Sequence, residues 1–213
     1  MAMVKTDLIQ SPYDRAILLI VTGPAGSGKT TLRERMVETY TPQLQRVVTA
    51  TTRPMRPGEV DGVDYHFLSD EVFTQRVAEN AFYEHAVVHG KHSYGALKGE
   101  IQDKLQSGTD MILNVDVQGV VRYREAAQTD PILRGRLVTV FILPQNLEQI
   151  ESRLRIRERG NEAEIARRLE TAKREIEQWR SFDYAFHSNT RDDDFAAVRA
   201  IYHAEKLRNP NPQ

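Results

Sequence analysis

The sequence predicts an α/β fold, with a central parallel sheet flanked by helices. Two observations carry this. Short apolar runs recur along the chain, AILLIVT at 16–22, MILNVD at 111–116 and RLVTVFIL at 136–143, and helical patterns stand between them. A glycine-rich turn follows the first run directly and opens onto the first helical pattern. A continuous apolar run reads as a strand covered on both faces, which is what helices packed on a parallel sheet require. Strands alternating with helices complete that architecture.

Taken in order, AILLIVT is the first strand and TLRERMVETY (31–40) a helix with Leu32, Met36 and Val37 on one side. RVVTA at 46–50 reads as a second short strand. Residues 51–65 hold two prolines and two glycines and read as loop or irregular edge. Asp70 is expected to cap a helix starting near Glu71 and continuing through FTQRVAE. FYEHAVVHGKHSYG suits a small antiparallel element, and GALKGEIQDKLQSG a helix stopped at Gly108. The run at 111–116 leads into the helix GVVRYREAAQ, and 136–143 is the next central strand. Leu147 to Arg180 is charged and helical, broken near Gly160 and Asn161. FDYAFHSN is a short last strand, and FAAVRAIYHAEKLR the last helix, with Asp192 to Asp194 at its positive N-terminal end. The tail NPNPQ is expected to fray.

Composition narrows the function classes. A length of 213 residues suits one domain, and 40% hydrophobic residues supply a sizeable core. A net charge of −1 gives no global field for nucleic acid or acidic membranes, so neither is expected as a partner. The absence of cysteine rules out disulfides and cysteine zinc sites and suits a cytoplasmic location. The start of the chain lacks the apolar centre of a signal peptide, and no run is long enough to cross a bilayer.

Gly23 to Thr30, GPAGSGKT, fits G-x-x-x-x-G-K-[ST] between a strand and a helix. Glycines let backbone N–H groups approach phosphate oxygens, and the following helix aims its N-terminal dipole at the same anion. Gly23, Ala25, Gly26, Ser27, Gly28, Lys29, Thr30 and Thr31 are therefore expected to hold ATP. Lys29 supplies charge at the β- and γ-phosphates, and the Thr30 hydroxyl is the expected magnesium ligand. This motif alone does not separate kinases from other nucleoside triphosphatases.

A second anion site is legible downstream. Arg53 and Arg56 are three residues apart across a proline, and their planar forks can converge on one phosphate. Tyr65 offers a hydroxyl donor. The run TTRPMRPGEVDGVDY closely resembles the GMP-binding segment of guanylate kinases. The resemblance continues in order through Phe82-Tyr83-Glu84, His92-Ser93-Tyr94-Gly95, NVDVQG at 114–119, Leu143-Pro144 and Asp183-Tyr184 to Asn189.

The resemblance implies a P-loop NTPase fold, GMP and ATP as substrates and a monomer or homodimer. It implies that Arg53, Arg56, Tyr65 and Tyr94 hold the GMP phosphate, and that Glu84 accepts from the guanine N1–H and amino group. Guanine presents two adjacent donors on that edge where adenine presents an acceptor. Thr49 and Thr51 would add hydroxyl contacts to the base, Asp116 would stand near the ribose or the magnesium water shell, and Asn189 would serve the ATP side. Arg153, Arg157 and Arg168 align with the family's lid arginines, and the spacing of the first two puts them on one helical face. They would neutralise charge during phosphoryl transfer, a reaction that needs no side-chain base.

The implied architecture is a single domain, 1–213: a core of about 15–46, 100–146 and 171–208, a GMP-binding region of about 47–99, and a lid of about 147–170. Three departures stand out. Ala96 follows Tyr94-Gly95 where the family carries a hydroxyl, Asn114 stands at an acidic position, and the loop before Tyr94 is one residue longer. Two alternatives remain: a non-catalytic guanylate-kinase-like binding module, and a P-loop kinase for another small phosphorylated acceptor. His89, Lys91 and His92 read as a surface loop, and Trp179 as a packing residue.

Overall fold

Buried at every position, the strand β1 (Leu18–Thr22) sits at the centre of a five-stranded sheet. The computed structural model describes residues 15–88, 90–157 and 161–208. The strand order is β2 (Leu44–Arg46), β7 (Asp110–Asn114), β1, β8 (Leu137–Leu143), β9 (Tyr184–His187), and every neighbouring pair is parallel. Helices α1 (Lys29–Tyr40) and α7 (Arg191–Leu207) cover one face, where Leu32, Met36, Val198 and Tyr202 meet Leu19, Val21 and Val140. Helices α3 (Lys98–Gln106) and α4 (Val117–Thr129) cover the other, packing Ile101, Leu105, Val120 and Tyr123 on Leu18, Ile20 and Leu113. A parallel sheet has to be covered this way because both faces are apolar.

One buried carboxylate pins the far end of the sheet. Asp110 accepts from the Ile17 N–H at 2.8 Å, the Tyr202 hydroxyl at 2.6 Å and the Lys206 ammonium at 3.0 Å. A charge out of water is tolerated because both carboxylate oxygens accept hydrogen bonds, one of them from an ammonium. The opposite end is where the parallel strands terminate together. The turns after β1, β7, β8 and β9 therefore open on the same edge, as ligand sites of open α/β sheets do.

A second sheet has the order β4 (His66–Phe67), β3 (Ala50–Thr51), β6 (His92–Leu97), β5 (Phe82–Val88). Only β3 and β4 run parallel. The expected antiparallel element at 82–95 is its β5–β6 hairpin. The expected strand at 46–50 is not one strand. β2 ends at Arg46, the Val47 N–H gives one more ladder bond to Ile112 at 3.0 Å, and the chain then crosses to the second sheet. The Val48 N–H is taken by the Glu100 carboxylate at 3.3 Å instead of a neighbouring strand.

Helix boundaries also shift for physical reasons. Ser69, not Asp70, caps α2 (Asp70–Ala78), its hydroxyl accepting from the Val72 N–H at 3.2 Å. Thr190 and Asp193 form a reciprocal capping box, so the three aspartates lie inside the first turn of α7. Helix α3 starts only at Lys98 because Gly95 to Leu97 complete β6. Helices α5 (Leu147–Arg157) and α6 (Glu162–Glu177) flank the expected break, with Asn161 capping α6. Gly160, His89, residues 1–14 and the tail 209–213 lie outside the described residues. Trp179 packs against Val117, Phe141 and Leu143, as expected. Among the described residues, no helix is long and apolar enough to cross a membrane.

Candidate active site

The turn after β1 is shaped by close contact with β8. Gly23 has φ of +145°, and a Cβ there would lie 2.5 Å from the Ile142 carbonyl oxygen, so only glycine fits. The base of the turn is tied to β7 by the Thr22 hydroxyl, which donates to the Val115 carbonyl at 2.7 Å. Lys29 opens α1 and donates back to the Gly23 and Pro24 carbonyls at 2.6 and 3.0 Å. The Ser27 hydroxyl is buried and, among the described residues, has no hydrogen-bond partner. A cavity of about 450 Å³ lies in front of this loop, and Lys29, Thr30, Thr31, Asp116 and Glu175 are among the residues lining it. A larger cavity, about 700 Å³, runs past Gly28 and Arg153 to Asn189 and Asp194. Asn189 is fixed there, accepting from Gln145 at 3.0 Å and donating to Asp193 at 2.7 Å.

In the second sheet the arginine of the TTRP run is held by a carboxylate. Glu59 receives both forks of Arg53, at 2.8 and 3.0 Å, and also the Arg56 N–H at 2.7 Å. This pairing keeps Arg53 firmly protonated and holds Glu59 below the usual carboxylate range. The Arg53 guanidinium stands 5.3 Å from the Tyr65 ring centre, and Tyr65 meets Tyr94 edge-on at 6.0 Å. Arg56 is exposed on the same loop. Thr51 is fully buried, its hydroxyl accepting from the Arg53 N–H at 3.2 Å, so it shapes the loop from behind. Thr49 is half-buried and its carbonyl accepts from the His66 N–H at 3.0 Å.

Comparison with known proteins places this geometry. The family model described as Guanylate kinase matches residues 15–205. The chain belongs to the guanylate kinase family. It is 41% identical over 199 residues to the guanylate kinase of Caulobacter vibrioides, covering 92% of this chain and 90% of that one. It is 37% identical over 203 residues to that of Paramagnetospirillum magneticum, covering 95% and 91%. Among solved structures it resembles the guanylate kinase from Anaplasma phagocytophilum, with a TM-score of 0.67 and 24% identity over 92% of this chain and 89% of that one. At that identity the likeness speaks to the fold alone.

Within this guanylate kinase fold, the remaining expected residues fall into two groups. Glu84 lies on β5 directly opposite Ala96. Burial, and then the nearby Asp116 charge, push its carboxyl up to about 7, while Arg122 pulls the other way. Asp116 caps α4, one oxygen accepting from the Gly119 N–H at 2.7 Å. Its charge raises both Glu84 and Glu175, and it lines the cavity in front of the glycine loop.

Arg153 reaches the loop itself, donating to the Gly26 carbonyl at 2.7 Å. Arg168 donates to Glu164 at 2.7 Å from a largely buried position. The Arg157 side chain lies outside the described residues. Arg155, on the same helix, pairs with Glu151 and Glu162. Sequence reasoning missed two participants. Glu59 was inside the quoted run, and its signal was a carboxylate three residues from Arg56. Glu175 lies seven residues after Arg168, hence on the same helical face, but alternating charges along α6 hid it.

Proposed function

We infer that this chain transfers the γ-phosphoryl group of ATP to GMP, giving ADP and GDP. The observation that carries the reading is that one chain holds two phosphate sites of different construction, one where the strands of the central sheet end and the other at the second sheet. One is a glycine loop with Lys29, and the other an arginine clamp with Arg53, Arg56, Tyr65 and Tyr94. We propose that the second sheet, about 47–99, is the GMP-binding region and that α5 and α6 form the lid, which at Glu177 ends seven residues beyond the expected 147–170.

Glu84 takes the guanine edge, with Thr49 beside it and Thr51 supporting Arg53. Arg153, Arg157 and Arg168 gather on the phosphates of ATP, and Asn189 borders the adenosine end. The Thr30 hydroxyl and the Asp116 carboxylate line one cavity, an all-oxygen donor set that fits magnesium. Magnesium supplies charge neutralisation on the β- and γ-phosphates when bound. The chain's own residues align donor and acceptor, exclude water and stabilise equatorial charge. A cytoplasmic monomer or homodimer without nucleic-acid or membrane partners completes the proposal.

Equilibrium titration tests the acceptor site. GMP is expected to bind at least tenfold more tightly than AMP, and Arg56→Ala to weaken GMP by about 1.5–3 kcal/mol through loss of charge-assisted bonds. Equal binding of GMP and AMP would overturn the assignment of the site.

A further inference from the structure

The lid helix α6 puts a carboxylate where an anion is expected to sit. Glu175 lines the cavity in front of the glycine loop, together with Lys29, Thr30 and Asp116. Its position follows from the helix. Arg168, Ala172 and Glu175 are spaced by four and three residues and share one face. Ala172 is 1% exposed and belongs to a cluster with Ile150, Leu154 and Ile165 against which Ala25 of the glycine loop packs. The small side chain lets α6 approach the loop closely. The two charged residues of the face are separated along the axis by about 10 Å, at about 1.5 Å per residue. The lid therefore presents a cation at one end of its inner face and an anion at the other.

An anion beside a triphosphate site disfavours the nucleotide unless something offsets its charge. Glu175 and Asp116 line the same cavity as Thr30, the proposed magnesium ligand. Metal-free ATP would meet two carboxylates across the cavity, whereas ATP carrying magnesium brings two positive charges to that wall.

Resting on the ATP:GMP phosphotransferase reading above, we propose that Glu175 is the residue through which the lid selects the magnesium-charged form of ATP over the metal-free form. Burial raises the Glu175 carboxyl, Lys29 pulls it down and Asp116 raises it further, in keeping with the three groups lining one cavity. Its partners across the cavity come from the loop and from the β7–α4 turn, so closing the lid would bring the selection with it.

Calorimetric titration of the full chain with ATP, in excess magnesium and in excess EDTA, tests this without relying on turnover. The wild type is expected to favour the magnesium form by tenfold or more. Glu175→Gln is expected to narrow that ratio to about threefold or less, chiefly by tightening metal-free ATP. Glu177→Gln, an exposed carboxylate on the same helix, is expected to keep the wild-type ratio. A merely structural glutamate would move both affinities together, and an unchanged ratio in Glu175→Gln overturns the proposal. Should that variant fail to fold, the wild type decides, because a ratio near one overturns it as well. A wild type that binds neither form of ATP would instead overturn the phosphotransferase reading.

Discussion

Burial lifts the Glu84 carboxyl to about 7, so protonated and ionised forms coexist near neutral pH. The ordinary glutamate value of 4.5 applies once the chain unfolds. Between those values the folded state holds more protons than the unfolded state, so stability falls as pH rises. The ligand-free protein is expected to lose on the order of 3 kcal/mol from this group between pH 4.5 and 7, and Glu84→Gln to remove that slope in denaturant titrations. The same variant is expected to weaken GMP tenfold or more, because an amide NH₂ then faces a guanine donor. A variant with the wild-type slope and wild-type GMP affinity would remove Glu84 from the site. At this scale the sequence was legible where a site is written in one local segment. Arg53, Tyr65 and Tyr94 do meet, as the resemblance carried by their segments implied. The inward turn of Thr51 and the approach of Glu175 depend on packing between distant segments, which local spacing does not encode.

The α5–α6 pair has its own small core. Leu154 is fully buried among Ile150, Ile165 and Ala172, and Ala25 links that cluster to the glycine loop. Leu154→Ala is expected to destabilise the α5–α6 pair by about 2–5 kcal/mol through the cavity it leaves. Hydrogen exchange should then rise selectively over 150–172, while kcat/KM for ATP falls about tenfold. Unchanged exchange there, with a loss confined to the central sheet, would show that the helical pair is not a separate unit. Elements of this kind are partly legible in sequence. The strands β1, β7 and β8 were evident because burial on both faces demands apolar residues without interruption. The run at 46–50 misled because the same β-branched residues serve two sheets, and nothing in its composition marks the crossover. Capping was legible only in kind, since Ser69 and Asp70 are both good caps and the backbone selects one.

Across the whole molecule, one proposed anion site lies where the central strands end and the other at the second sheet, and Asp116 lines the cavity of the first. Bringing donor and acceptor phosphates into line requires the second sheet and the lid to converge, and convergence would exclude water. Chemistry should therefore wait for both substrates. The steady-state formation of ADP from ATP and magnesium, measured without acceptor and with GMP, AMP, CMP or UMP in parallel, tests the central claim most directly. The expected result is rapid turnover with GMP, at least a hundredfold slower ADP release without it or with the other monophosphates, and loss of at least a hundredfold in Lys29→Ala, equivalent to about 2.7 kcal/mol of transition-state stabilisation. Folded protein that binds ATP yet turns over equally with every acceptor, or with none, would contradict it.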